Sequence, residues 1–531
     1  MTPSSGTPRD RALIWWQERV RARGYVVGRD EFPPTAEARV LRRERLVLEM
    51  AEGGVWILCQ PTDDPRATFL TNYWRVVAAV LAAYGPAVVE RLSAVRLDTD
   101  QFGVPTELFA RHAANASVRT ITLFDEYRVR LTPGRVGDTR KVDVAGTMVP
   151  ADPPAATLVR LTVGDVRAEV AMVAVWLRYA SVTPAALDAA YIAAPRPVLL
   201  RRMGLMAREV CNRRLADAID GVLAAHEDRT TSPSKTGVGR TIIVPPALVA
   251  APHRTGAWLD RHDATFAADA AAIRRAVGRR VAALPRFPRA RLLRHARRAK
   301  AYDAYHSTTI EGYRITPEQA AVIVEGRALP GATVDEVQQR AALQGYSAAF
   351  DEATKVLAEG HGPLRIDEGI VFDLYEALFS PSIDAGLVGR PALRQWRRQP
   401  AFIRGSAHVP PSDAKLPALM ARFVDAVNGL LAPEDAVVRA VMTHLDFVTI
   451  HPFLDGNGRV ARFLMNLALV SAGLPWATIR VEDRDRYFRA LEVAEVRSDP
   501  LPFAGFVLEY VERGVAGMTA NRRAPASRPR S

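Results

Sequence analysis

The residues best suited to chemistry lie in one stretch, His451-Pro-Phe-Leu-Asp-Gly-Asn-Gly-Arg-Val-Ala-Arg462. An apolar, helical-looking run, residues 436–450, leads into it, and Pro452 turns the chain out of helix into a loop. Gly456 and Gly458 permit positive φ, so successive N–H groups can converge on an anion. A second helix is expected from Arg459 to about Ser471, its N-terminal amides and dipole aimed at the same place. That arrangement suits the phosphates of a nucleoside triphosphate under attack by a hydroxyl. Arg459 and Arg462 stand three apart, so they share a helix face and can clamp phosphate oxygens. Asp455 is a lone carboxylate beside the nest, enough for Mg²⁺ or Mn²⁺ that takes its other ligands from phosphates and water. Asn457 can donate its amide N–H to a phosphoryl oxygen. His451 closes the first helix and is the nearby group whose pKa suits it to deprotonate a hydroxyl near neutral pH. A plain glycine turn with solvated arginines would leave this concentration of polar roles unexplained.

A second pattern lies upstream, Ser307-Thr-Thr-Ile-Glu311-Gly312. On a helix Ser307 and Glu311 are one turn apart on one face, and Gly312 is placed to cap the C-terminus. Thr316-Pro317-Glu318-Gln319 reads as the start of the next helix, with a capping box and Pro at its first position. Taken alone, Glu311 reads as an ordinary surface carboxylate.

The first stretch resembles the core motif of the Fic family, HPFx[DE]GNGRxxR, without departure. The resemblance implies a mainly α Fic domain with a small β-hairpin flap, and transfer of AMP from ATP to a Ser, Thr or Tyr hydroxyl of a protein target. It makes His451 the general base, Asp455 the metal ligand, Gly456, Asn457 and Gly458 the anion hole, and Arg459 and Arg462 the phosphate ligands. The kinase-like Doc branch carries Lys in the glycine loop, where this chain has Arg459 after Gly458. The upstream pattern resembles the inhibitory [ST]xxxE[GN] sequence of the class whose inhibitory helix precedes the core. Glu311 is then expected to pair with Arg462 and deny it to the γ-phosphate, with Ser307 facing the loop 455–459. Residues 395–411, including Phe402, Ile403 and Arg404, fall where the family carries a flap that adds a target strand. Tyr487 or Phe488 falls where the family stacks on adenine. Several members have Asn seven residues after that aromatic; here it is Glu495, which leaves open the transfer of another group, such as UMP or phosphocholine.

The whole chain has 531 residues, 48% hydrophobic, with two cysteines, Cys59 and Cys211. Two to four soluble domains are expected, with no disulfide framework and a cytoplasmic location. No run approaches a membrane span. The expected division is an α+β region over 1–226 that can contain a winged helix, a linker over 227–245, and a basic helical connector over 246–300. The Fic domain follows over 301–515, then a disordered tail over 516–531. Ala12–Arg23 and Ala36–Ala51 read as helices, Val55–Gln60 as a strand, and Val118–Thr132 as a hairpin. Net charge is +13, yet residues 301–531 hold 25 basic and 28 acidic side chains, so the surplus lies N-terminal. Arginines crowd 271–300 without an acid. They fit solvated helix faces or a nucleic-acid surface. The N-terminal region loosely resembles AbiEi-type antitoxins, which makes a DNA-binding regulator with a Fic effector the rival reading. A homodimer is a further expectation.

Overall fold

A computed structural model describes residues 7–520 apart from 23, 51–53, 114–116, 227–256, 328–332, 361 and 389–392. The chain forms two compact units, Met1–Ala264 with Phe402–Pro410, and Thr265–Ala401 with Pro411–Ser531. The expected linker 227–245 lies outside the described residues.

The first unit begins with α1 (Pro8–Arg21), β1 (Val26–Gly28), a 3-10 turn at Arg29–Glu31, α2 (Thr35–Arg43), β2 (Val47–Met50) and β3 (Val55–Leu58). A capping box between Thr7 and Asp10, with Pro at the start, sets α1. The single helix expected over Ala36–Ala51 is corrected. It stops at Arg43, Arg45 takes φ +54, and Val47–Met50 pairs antiparallel with the wholly buried β3. A buried partner strand outweighs local helix propensity here. The sheet order β1-β3-β2 is antiparallel throughout. On one side Ala12, Leu41 and Leu46 form a small core, with Phe32 stacked 3.9 Å from Trp56. On the other, Val55 and Ile57 join the core of α3 (Pro65–Ala83).

That larger core also takes in a six-stranded sheet of order β6-β7-β5-β4-β9-β8. Its strands are β4 (Ala87–Val89), β5 (Glu107–His112), β6 (Arg119–Phe124), β7 (Tyr127–Pro133), β8 (Arg140–Val144) and β9 (Thr147–Ala151). β6 and β7 are the hairpin expected around Asp125. Helix α4 (Arg91–Asp98) and six helices, α5 (Pro154–Arg160) to α10 (Arg213–His226), bury a separate cluster around Leu158, Val173, Leu200 and Ile219.

The second unit is helical. Its elements are α11 (Ala257–Ala282, of which residues from 265 belong here), α12 (Arg289–Arg298), α13 (Lys300–Ile310), α14 (Pro317–Val324), α15 (Val334–Glu359), α16 (Glu368–Asp384) and α17 (Leu416–Asn428). Then come α18 (Ala436–Ile450), α19 (Asn457–Ser471), α20 (Arg484–Arg497) and α21 (Leu501–Ala520). Every residue of α18 except Thr449 is buried, and α19 is buried from Arg459 to Val470. Helices covered all round form the centre of a bundle, so the loop between them is held by the buried centre of the unit. Helix α21 runs to Ala520, into the segment expected as a tail; residues 521–531 lie outside the described ones.

The basic run has work inside this unit. Arg274 pairs with Asp435 at 2.6 Å and Arg280 with Glu512 at 2.6 Å, while Arg286 and Arg291 donate to the carbonyls of Pro433 and Met518. No helix among the described residues is long and apolar enough to cross a membrane.

Candidate active site

The loop between α18 and α19 is built by its own residues. His451 takes the left-handed conformation, φ +52, as the residue that ends α18. Gly456 repeats it at φ +83 to start α19. A Cβ on Gly456 would also sit 2.6 Å from the Phe379 ring. Gly456→Ala is therefore expected to destabilise the chain by about 2–4 kcal/mol from backbone strain and overpacking together, read as a lowered thermal midpoint. Gly458 does not need positive φ, contrary to expectation. It lies in the first turn of α19, and its lack of a side chain serves close approach: a Cβ there would meet Glu311 Oε1 at 2.6 Å. Phe453 stacks on Tyr375 with centroids 3.7 Å apart, pinning the loop to α16.

Asn457 has a different task from the phosphate donor expected. Its Oδ1 accepts from Phe453 N–H at 3.0 Å and its Nδ2 donates to Phe453 carbonyl at 2.8 Å. The buried amide closes the loop upon itself.

His451 Nδ1 lies 3.2 Å from the Val448 carbonyl. That partner assigns the proton to Nδ1 and leaves Nε2 as the ring's basic nitrogen. The His451 carbonyl accepts from Arg397 Nε at 2.8 Å, and Arg397 also donates to the carbonyls of Gln399 and Pro411. Burial lowers the Arg397 pKa to about 10. Nothing local in the sequence marks this arginine as the clamp on the loop.

Arg459 and Arg462 are both buried but engaged differently. Arg459 donates to Asp455 Oδ2 at 3.0 Å and lies over the Tyr313 and Phe379 rings. Arg462 is enclosed by α13: Nε donates to Ser307 Oγ at 2.7 Å, and Nη2 to the Ser307 carbonyl at 3.0 Å and Glu311 Oε1 at 2.6 Å. Ser307 thus holds the arginine and does not point at the loop 455–459 as expected. Gly312 follows Glu311 with φ +96 and its N–H bonded to Thr309 carbonyl, ending α13 as its position predicts. The capping box of Thr316 and Gln319 starts α14.

Helix α13 is itself anchored by a residue the sequence did not single out. Asp303, one turn before Ser307, is buried and accepts from Tyr346 at 2.8 Å and Thr478 at 2.7 Å. Burial holds its carboxyl pKa up. A polar residue four before Ser307, on the same face, was the available signal.

Asp455 has a 64% exposed side chain, with Oδ1 accepting from Gly456 N–H at 2.6 Å. With Glu311, Tyr313, Arg314, Asp335, Gln338 and Gln339 it lines a cleft of about 400 Å³. Among the described residues no cluster of three or more His, Cys, Asp or Glu could hold a metal by itself. A single exposed carboxylate fits Mg²⁺ or Mn²⁺ that keeps water and phosphate oxygens as its other ligands.

The two aromatics of α20 divide. Tyr487 is buried, and its hydroxyl sits between Arg462 Nη1 at 3.3 Å and His444 Nε2 at 2.9 Å. Burial pushes the Tyr487 pKa up to about 12, and burial then Arg462 keep His444 neutral. Tyr487 thus supports Arg462 through its buried hydroxyl. Phe488 is 38% exposed with Arg484 over its ring. Glu495 is half-buried beside the Thr449 hydroxyl, its pKa pushed up to about 8 by burial and then by Glu492.

The expected flap hairpin is corrected. Residues 393–411 carry no strand. Ile403–Ser406 forms a turn through Arg404 and Gly405, with Ser406 N–H on the Ile403 carbonyl. Phe402, Ala407 and Val409 belong to the first unit's core, where Val104 N–H donates to the Ala407 carbonyl at 2.7 Å. Apolar contacts and the donor-poor Pro410-Pro411 outcompete a ladder.

The Fic/DOC family model matches residues 365–469, and the chain carries a Fic domain. It is 32% identical over 213 residues to a protein adenylyltransferase Fic of Drosophila willistoni, covering 39% of each chain. It is also 32% identical over 222 residues to one of Nematostella vectensis, covering 41% of this chain and 48% of that one. The chain thus spans less than half the length of these relatives. Among solved structures, Fic-1 from C. elegans is 22% identical with a TM-score of 0.36, covering 65% of this chain and 97% of that one. A Fic family protein from Desulfovibrio desulfuricans G20 is 24% identical with a TM-score of 0.33, covering 50% and 76%.

Proposed function

We propose that the chain is a protein adenylyltransferase held off by its own Glu311. A hydroxyl oxygen of a protein Ser, Thr or Tyr attacks the α-phosphorus of ATP. The new O–P bond forms as the bond to the β-phosphate oxygen breaks, and pyrophosphate leaves. His451 Nε2 takes the hydroxyl proton, oriented by the Val448 carbonyl at Nδ1 and by Arg397 at its backbone. The N-terminal amides of α19, Arg459 and a released Arg462 stabilise the charge on the phosphates. Asp455 would hold the divalent cation, which supplies charge neutralisation at the phosphates. The observation that carries the inhibited state is the position of Glu311, bonded to Arg462 at 2.6 Å and lying over Gly458. A carboxylate there both occupies the arginine and repels a phosphate. Labelled ATP, UTP and GTP offered to wild type and Glu311→Gly test the reading through self-modification; failure of every nucleotide with both proteins removes it.

Adenine fits a neutral Glu495. A carboxylic acid offers one donor and one acceptor, matching adenine N1 and N6–H, whereas the carboxylate offers acceptors alone, which suit guanine. With the Glu495 pKa pushed up to about 8, the neutral form prevails at pH 7 and is lost as pH rises. KM for ATP is expected to be flat below pH 7 and to rise by up to about tenfold per pH unit above the pKa. Glu495→Gln should flatten that rise. The same rise in the Gln variant removes Glu495 from base reading.

A further inference from the structure

We propose that the first unit binds duplex DNA and reads it with α2. The case is independent of the transfer reaction and rests on which way the charges around α2 face. In a helix-turn-helix or winged-helix domain the helix before the β-hairpin enters the major groove, and α2 occupies that place. Thr35, Arg39 and Arg43 follow one another at steps of four, which places them on one face, and all three are exposed. The Arg43 side chain is 72% exposed. Arg45, turned by its positive φ just past the helix end, is exposed as well.

The acids of this region are turned away from that face or already neutralised. Glu37, the acid within α2, is buried against Arg11 of α1 at 2.7 Å. Glu44, at the helix end, is held by Arg9 at 2.8 Å and lies 3.5 Å from Arg43. Glu49 on β2 is matched by Arg42, whose guanidinium also lies over the Phe32 and Trp56 rings. Among the described residues no carboxylate pairs with Arg39 or Arg45. The arginines of α1 and Arg42 thus take up most of this acidic charge, and the outward stripe of Thr35, Arg39 and Arg43 carries no acid of its own.

The mounting is rigid enough for reading. The other side of the three-stranded sheet is fixed to α3 through Val55 and Ile57, so α2 is presented on a packed scaffold. A B-form major groove about 12 Å wide admits a helix, and arginine pairs bidentately with guanine O6 and N7. The deep, narrow major groove of A-form RNA does not admit a helix, which makes duplex DNA the partner this stripe fits. The arginines of 271–300, several of them tied to carboxylates and carbonyls of the second unit, are not needed for it.

The experiment uses the full chain, a fluorescein-labelled random-sequence DNA duplex, and selection from a randomised duplex pool. Binding is expected to weaken steeply with salt as phosphate contacts release counterions, and selection should enrich a short guanine-containing site. Arg39→Gln/Arg43→Gln/Arg45→Gln should lose roughly 100-fold or more on that site while keeping the wild-type near-UV circular dichroism and thermal midpoint. Arg275→Gln/Arg279→Gln, in the basic run, should bind as wild type. The proposal is overturned by no duplex binding at low salt, by a triple variant within threefold of wild type, by loss of binding in the Arg275/Arg279 variant, or by tighter capture of an RNA duplex of the same sequence.

Discussion

Glu311→Gly is expected to raise AMP transfer by tenfold or more, while Arg462→Ala is inactive with or without Glu311. The geometry sets the direction. Arg462 is buried, and its guanidinium is engaged by Ser307, Tyr487 and Glu311. Of these partners only Glu311 carries a charge that a γ-phosphate would replace. Removing it opens the space over Gly458 and leaves a cation without its counter-ion, which ATP can then supply. Couplings between sites are commonly about 1–3 kcal/mol, and a block that excludes the productive pose can exceed that. Ser307→Ala added to Glu311→Gly should give little further activation, because a neutral hydroxyl does not compete for a phosphate. Arg462→Ala removes what inhibitor and substrate both need, so no change at Glu311 restores it. Transfer assays with labelled ATP over the five proteins decide the matter. Equal activity of wild type and Glu311→Gly would sink self-inhibition and leave the catalytic reading standing.

The core loop was legible in the sequence because its chemistry is contiguous. Pro452, Gly456 and the two arginines impose a helix end, a left-handed turn and a new helix within a dozen residues, and the structure builds them so. Pairing of Glu311 with Arg462 crosses 151 residues, yet both partners were readable because each sits in its own short pattern. What escaped has no local pattern. Arg397 reaches the His451 carbonyl from 54 residues upstream, and Asp303 finds Thr478 across 175. Asn457 was misread for the opposite reason. Its amide is the right group for a phosphate, but the Phe453 backbone four residues away satisfies it first. Tyr487 and Phe488 stand side by side in the chain, and only packing decides that one lies in the core and the other at the surface. In the first unit, Val47–Met50 carries too short an alternation to declare itself a strand until β3 lies beside it. The flap failed as a hairpin because Ala407 and Val409 are buried in a core that no local reading of 395–411 contains.

His451→Ala should reduce transfer by about 10²–10⁴-fold, the usual worth of a positioned general base, with ATP affinity nearly unchanged. The histidine acts on the attacking hydroxyl, whereas the loop N–H groups, Arg459 and Arg462 act on the phosphates, so binding and chemistry should separate. Alanine brings one complication, because His451 sits at φ +52 and a β-carbon residue of ordinary type is strained there. His451→Asn removes the base while tolerating the left-handed conformation, which keeps the loop and its bond from Arg397 intact. In a Glu311→Gly background, where transfer is measurable, both variants should bind ATP like their parent by calorimetry and differ from it in rate alone. The Asn variant separates the two causes of any loss. If it transfers at the parent's rate, the proton goes elsewhere and His451 is no base. If it binds ATP tenfold more weakly, His451 serves the nucleotide site and not the nucleophile.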